Sequence, residues 1–249
     1  MRILVAVKRV PITGGKMVLS GDEQSIQTRH LGFTISPHEE CGVEEAVRIV
    51  EAQGGEVVVM TLGPAEAEEQ LRECMALGAD RAIHLVSEEE WDAQATASAL
   101  VEAIHAEEPF DLIVFGNESA DAGNYQVGIR VSYALGLPIV TGVKSMTLVD
   151  GRARLEQEVA TGMDVYDVPL PAIATVKEGL NLPRYPSVPA KLRANRKPVD
   201  AKSVERPASK LEKLRLVVPE GQGTQAEILG HGPDAALAVV EVMQKLGVA

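Results

Sequence analysis

Leu112-Ile113-Val114-Phe115-Gly116-Asn117-Glu118-Ser119-Ala120-Asp121-Ala122-Gly123-Asn124-Tyr125-Gln126-Val127-Gly128 is the stretch whose reading decides the fold. Its apolar start, Leu112 to Phe115, shows no alternation and so reads as a strand buried on both faces, as in a parallel sheet. Small and polar residues end that run. Helical apolar spacing then extends from Asn124 to Leu135 and stops at Gly136. Strand, Gly-rich turn and helix in this order form a βα unit, and its turn lies beyond the carboxyl end of the strand. There the N–H groups and positive dipole end of the next helix face an anion. The small side chains let the main chain approach a phosphate, and Gly123 and Asn124 fall where the helix is expected to begin. Asp121 is poorly placed beside an anion and better suited to capping N–H groups or accepting from a ribose hydroxyl. The same residues also suit a plain, well-capped turn. Neither GxGxxG nor a Walker lysine is present.

Outward from this unit the pattern repeats. Ile3 to Val7, Glu56 to Leu62, Ala82 to Val86 and Pro138 to Val143 read as strands, separated by helical stretches at Glu39 to Gln53, Ala65 to Leu77 and Ala93 to Glu107. The implied fold class is α/β: a doubly wound parallel sheet, Rossmann-like and of the adenine-nucleotide-binding type. Ala6-Val7-Lys8 and Thr61-Leu62-Gly63-Pro64 are turns that should converge on the one after Phe115. Ser145 to Val149 and Arg152 to Glu158 alternate around Asp150-Gly151, a strong hairpin signal within residues 144–158. Val165 to Val168 and Ala172 to Val176 follow, the latter as a last sheet strand.

These elements place a nucleotide-binding domain at residues 1–180 and an extension at 181–249. Leu182 to Pro219 carries six prolines among many basic residues and too few apolar ones to bury itself, so it reads as extended chain that orders against something else. Pro233 to Leu246 reads as an amphipathic helix with Leu237, Val240 and Met243 on one side. The loop from Pro11 to Ser36 is long for a compact α/β unit.

The net charge of −12 is unevenly spread. From Lys177 to Arg215 there are eleven Lys/Arg against four Asp/Glu, or +7, while the rest has 13 against 32, or −19. The acidic bulk argues against nucleic acid, and the basic segment is either a solvated stretch or a docking arm. Met1 runs directly into Ile3-Leu4-Val5-Ala6-Val7, too short an apolar run to span a bilayer, so a cytoplasmic, non-membrane protein is expected. Cys41 and Cys74 lack CxxC or Cys/His spacing and read as packing residues, so no metal site is indicated. Histidines 30, 38, 84, 105 and 231 are scattered, with no GxSxG or HExxH, and no catalytic residue is nominated. The acidic pairs and runs Glu44-Glu45, Glu68-Glu69 and Glu88-Glu89-Glu90 read as solvated.

Five segments in this order carry a family resemblance: Leu4 to Val10, Val43 to Arg48, Gly63-Pro64 through Met75 to Arg81, Gly116 to Gly128, and Leu180 to Pro189. Together they resemble the beta subunit of electron transfer flavoproteins, nearly end to end. The resemblance implies a heterodimer whose alpha subunit holds most of a redox-active FAD, with AMP, or a second FAD in bifurcating members, buried in the beta subunit. Carried over by position, the nucleotide contacts would be Ala6, Ser36, Pro37, His38, Glu39, Leu62, Gly116, Asn117, Ser119, Asp121, Ala122, Gly123, Asn124, Tyr125, Gln126 and Val127, mostly through the backbone. Ser36 and His38 stand where some members have Asn and Phe, and Leu62 where some have Cys. The arm would embrace the alpha subunit and, around Tyr185, Val188 and Pro189, recognise flavin dehydrogenases such as acyl-CoA dehydrogenases, electrons then passing to a quinone reductase or other acceptor. An ATP-handling enzyme of the same fold is the competing reading of the phosphate-facing turns.

Overall fold

A computed structural model of the chain describes residues 1–12, 17–208, 211–218 and 227–248. Part of the long loop (13–16) and Pro219, the expected end of the extended segment, lie outside the described residues.

The apolar runs become the centre of a nine-stranded sheet. In chain order its strands are β1 (Arg2–Ala6), β4 (Glu56–Gly63), β5 (Arg81–Val86), β6 (Leu112–Gly116), β7 (Ile139–Val149), β8 (Arg152–Val159), β9 (Gly162–Pro169), β10 (Ala172–Val176) and β11 (Val199–Ser203). A separate two-stranded ribbon, β2 (Val10–Pro11) with β3 (Phe33–Thr34), closes the long loop. The spatial order β11-β5-β4-β1-β6-β10-β7-β8-β9 is parallel through β7 and antiparallel from β7 to β9. The chain fills one side of β1 with β4 and β5 and then crosses to place β6 on the other. That reversal is the point where doubly wound sheets open a crevice at the strands' carboxyl ends.

Helices cover both faces because the central strands are apolar on both. On one face lie α1 (Pro37–Gln53), α2 (Glu68–Leu77, entered through a short 3₁₀ turn) and α5 (Val188–Ala194), over a core that includes Val5, Val43, Val114 and Val176. On the other lie α3 (Ala93–His105) and α4 (Val127–Leu135), over Leu4, Met60, Ile113 and Phe115. Both cysteines are buried and free, as read.

Four expectations change. First, α4 begins at Val127, three residues after Asn124, because Tyr125 takes a left-handed φ of 56° that no helix start accommodates. Second, the expected hairpin is two strands of a three-strand meander, since Val165 to Val168 belongs to β9 and pairs with β8. Third, Leu182 to Pro219 is not uniformly extended. Arg72 on α2 donates to the carbonyls of Ala194 at 2.9 Å and Lys197 at 2.7 Å, and the Lys197 ammonium reaches the carbonyl end of α2 at Met75 (3.1 Å) and Ala79 (2.6 Å). These bonds dock α5 and deliver β11 to the open edge of β5. Fourth, Glu44 is not solvated. The Arg184 guanidinium lies over it at 2.9 Å and also binds Glu51 at 2.6 Å, which fixes the start of the arm on α1. The helix at the C-terminal end, α6 (Ala236–Lys245), forms as read, but Leu237 is 78% exposed and Val240 and Met243 are exposed beside it.

Candidate nucleotide cleft

The carboxyl ends of β1, β4 and β6 meet in register, with Ala6 opposite both Met60 and Phe115. Between the turns that leave them lies a cleft of about 320 Å³, large enough for a mononucleotide-sized ligand. One wall is the β6–α4 turn and the other is the start of α3 with the segment before it.

Close packing sets the first wall. A Cβ on Gly128 would lie 2.9 Å from Thr175 Cγ2 and 3.3 Å from the Phe115 ring, so glycine lets the first turn of α4 settle against the sheet. Gln126, at the N-cap of α4, makes no side-chain cap, and the first intrahelical bond to it comes from Arg130 N–H. The N–H groups ahead of that bond have no partner within the helix. The starts of α3 and α1 differ. Asp92 accepts from Gln94 N–H (2.9 Å) and Ala95 N–H (2.8 Å) at α3, and Glu39 accepts from Ser36 N–H (3.1 Å) at α1. The turn itself is anchored, with Asn117 N–H donating to the Val176 carbonyl at 2.9 Å and Thr175 Oγ1 donating to Asn117 Oδ1 at 2.8 Å.

The charges are arranged across the gap. The Lys8 ammonium meets Asp121 at 2.6 Å. Burial works to raise the Asp121 pKa, but the Lys8 charge and the hydrogen bonds from Ser119 and Ala122 outweigh it and hold this carboxyl below its usual value. Asp121 thus accepts the N–H of Ala122 (2.7 Å) and ties Lys8 to the β6–α4 turn. Glu39 is the opposite case. Burial pushes its carboxyl up to about 8, although its Oε2 accepts the N–H groups of Lys8 and Ser36 and the Lys8 charge opposes the rise. Burial thus favours the neutral carboxylic acid over the carboxylate at this point in the wall of the cleft.

Of the residues carried over by resemblance, Ala6, Glu39, Leu62, Gly116, Asn117, Ser119, Asp121, Ala122, Asn124, Tyr125, Gln126 and Val127 all line the cleft. Ser36, Pro37, His38 and Gly123 do not. Ser36 starts α1 and its hydroxyl donates to the Glu118 carbonyl at 3.3 Å, bracing the turn from behind. Pro37 and His38 form the first turn of α1. Burial lowers the pKa of His38, against the pull of Glu118 and Glu178. Gly123 stands at φ 53°, a left-handed conformation that sets the shape of the turn. Residues from the β5–α3 segment, Glu89, Glu90 and Trp91, and from α3 itself, Thr96 and Leu100, also line the cleft, as do Arg9 and Thr175. The signal for the second wall was available: Ala82 to Val86 reads as a parallel strand like the others, so the turn after it had to open on the same edge.

Tyr185 and Val188 stand clear of the cleft, 98% and 73% exposed, with Pro189 in the first turn of α5. Among the described residues no cluster of His, Cys, Asp and Glu could hold a metal, and no helix is long and apolar enough to cross a membrane.

Fold and cleft together define a doubly wound α/β protein of the nucleotide-binding type. The family model described as the electron transfer flavoprotein domain matches residues 25–207. The chain is 32% identical over 245 residues to the electron transfer flavoprotein subunit beta of Syntrophomonas wolfei, covering 98% of this chain and 96% of that one. It is 32% identical over 202 residues to the subunit of the same name from Bacillus subtilis, covering 80% and 78%. The Caffeyl-CoA reductase-Etf complex subunit CarD of Acetobacterium woodii is 34% identical over 203 residues, covering 80% and 77%. The chain belongs to the electron transfer flavoprotein family, on the side of its beta subunits, and its work is electron transfer.

Proposed function

We propose that the chain is the beta subunit of a heterodimer, binding AMP in its cleft and helping to enclose an FAD held mostly by an alpha subunit. The observation that carries the reading is the cleft itself: an uncapped helix start, backbone N–H groups and the Lys8 ammonium, at the reversal point of the sheet. Those groups fit a phosphate monoester. Burial favours the neutral form of Glu39, which lessens any negative charge opposing it. The FAD supplies the electron chemistry, and this chain's residues position it, exclude water and offer hydrogen bonds. The reading assigns no catalytic side chain to the chain.

Within the extension at residues 181–249, α5 and β11 are built into the nucleotide-binding unit, and in this reading the chain beyond β11 docks on the alpha subunit. The exposed apolar side of α6, with Leu237 and Leu246, is surface that a partner would bury. The experiment is to purify the chain with its partner, extract with acid and count. One flavin and one AMP per heterodimer are expected. Two flavins would replace AMP with a second FAD, as in a bifurcating complex; an assembled complex free of flavin would overturn the reading. Turnover of ATP by the chain would favour the enzyme alternative.

Flavin dehydrogenases are the transient electron donors, met by the surface at Tyr185, Val188 and Pro189. Val188 sits at the start of α5 with Leu192 one turn on, both exposed. An aliphatic anchor of this size contributes roughly 1.5 to 3 kcal/mol when buried. Val188→Asp is therefore expected to keep flavin content while slowing electron exchange with the dehydrogenase by about tenfold or more. Stopped-flow reduction by the dehydrogenase measures it, and an unchanged rate would remove Val188 from the docking site.

A further inference from the structure

We propose that Trp91 is the wall against which the purine base of the cleft's nucleotide lies, so that the base is directed to α3 and the phosphate to α4. The inference rests on the nucleotide reading above and adds to it which end of the ligand goes where, and which side chain holds the base.

The two helix starts that open on the cleft are chemically different. At α3 the N–H groups of Gln94 and Ala95 are spent on the Asp92 carboxylate, and Glu89 and Glu90 stand just before it. At α4 the cap is missing and the Lys8 ammonium is tied in through Asp121. A phosphate is favoured at the second, where the first N–H groups have no partner within the helix, and not at the first, where the Asp92 carboxylate already takes them. The remaining surface on the α3 side is mainly apolar, formed by Leu62, Trp91, Ala93 and Leu100, with Thr96 its polar member. It suits the flat heterocycle that the phosphate leaves to be placed.

Trp91 is the single tryptophan of the chain, and its ring is held before any ligand arrives. The indole N–H donates to Ser87 Oγ at 2.9 Å, and Glu89 N–H donates to the same oxygen at 3.4 Å. From the far side Arg206 pairs with Glu89 at 2.9 Å and donates to the Glu90 carbonyl at 3.2 Å, while Lys213 pairs with the Glu90 carboxylate. The basic arm thus braces the segment that carries the indole. An aromatic face fixed in this way stacks a base without paying to order itself.

The test uses the chain assembled with its partner and freed of nucleotide, titrated with AMP and with ribose 5-phosphate, which has the phosphate but no base. Trp91→Ala is expected to weaken AMP by roughly 10- to 100-fold, the range for losing one base–aromatic stack, and to leave ribose 5-phosphate unchanged. Trp91→Phe, which keeps a ring, is expected to restore AMP to within about threefold of wild type. The fluorescence of Trp91, obtained as the difference between the wild-type and Trp91→Phe complexes, is expected to be quenched by AMP and not by ribose 5-phosphate; this arm needs no alanine variant. AMP affinity unchanged in Trp91→Ala, or AMP and ribose 5-phosphate weakened equally, would overturn the role of Trp91 and leave the nucleotide reading standing. A wild-type complex that binds no AMP would overturn both.

Discussion

Gly128→Val is expected to empty the cleft. The valine Cβ would start 2.9 Å from Thr175 Cγ2 and 3.3 Å from the Phe115 ring, with two further methyl carbons to place. Both neighbours are buried in the sheet, so neither can swing aside and the first turn of α4 must lift instead. The uncapped N–H groups move with it, away from where a phosphate between them and Lys8 would sit. Nucleotide affinity is expected to fall by about 100-fold or more, since a displacement near 1 Å spoils several charge-assisted hydrogen bonds at once. Overpacking costs about 1 to 3 kcal/mol of stability, which the sheet can absorb. Calorimetric titration with AMP beside a denaturant melt separates the two effects; undiminished binding would mean that the start of α4 takes no part.

Glu39→Gln has the second large effect, and it depends on pH. In the folded chain the carboxyl stays neutral up to about pH 8, whereas in the unfolded chain it ionises from about 4.5 upward. Within that window the folded state holds the extra proton, so rising pH favours unfolding by up to about 1.4 kcal/mol per pH unit. Below it both states are neutral and the group contributes no slope. Glutamine keeps an oxygen for the N–H groups of Lys8 and Ser36 but does not titrate. The variant is therefore expected to match wild type below about pH 4.5, to exceed it increasingly up to about pH 8 and to hold that gap above, in denaturant midpoints measured across the range. AMP affinity should follow. Above about pH 8 an ionised Glu39 opposes the phosphate in wild type, while Asp121 stays charged throughout and Lys8 faces both, so the decline belongs to Glu39 and should flatten in the variant. Parallel pH profiles for the two proteins would refute the assignment.

Which parts of this were legible in the sequence follows from how local their causes are. Buried parallel strands announce themselves by uninterrupted Val, Ile and Leu, so β1, β4, β5, β6 and β10 were readable, and with them the edge where the turns converge. The start of α4 was displaced because a left-handed Tyr125 leaves no mark in residue spacing. The helix α5 and strand β11 were hidden for another reason. They are short, basic and flanked by prolines, and they hold their places through Arg72 and Lys197 bonding to carbonyls more than a hundred residues away in the chain. Glu44 looked like a surface carboxylate because its cover, Arg184, is equally remote. The wall at Trp91 lies behind the acidic run Glu88-Glu89-Glu90, whose charge reads as solvated surface, and only the strand before it, β5, indicates that this segment opens on the cleft edge.

The placement of β10 between β6 and β7 also bears on how the protein comes to be made. During synthesis β6 and its turn emerge long before residues 172–176, yet that turn is tied down by the Val176 carbonyl and the Thr175 hydroxyl. Until the ribosome has released β10, one flank of β6 is an open sheet edge, and a partly made chain exposes an apolar strand to any neighbour. The cleft therefore becomes competent late and all at once, and a chain shortened to end before Ala172 is expected neither to hold nucleotide nor to stay dispersed.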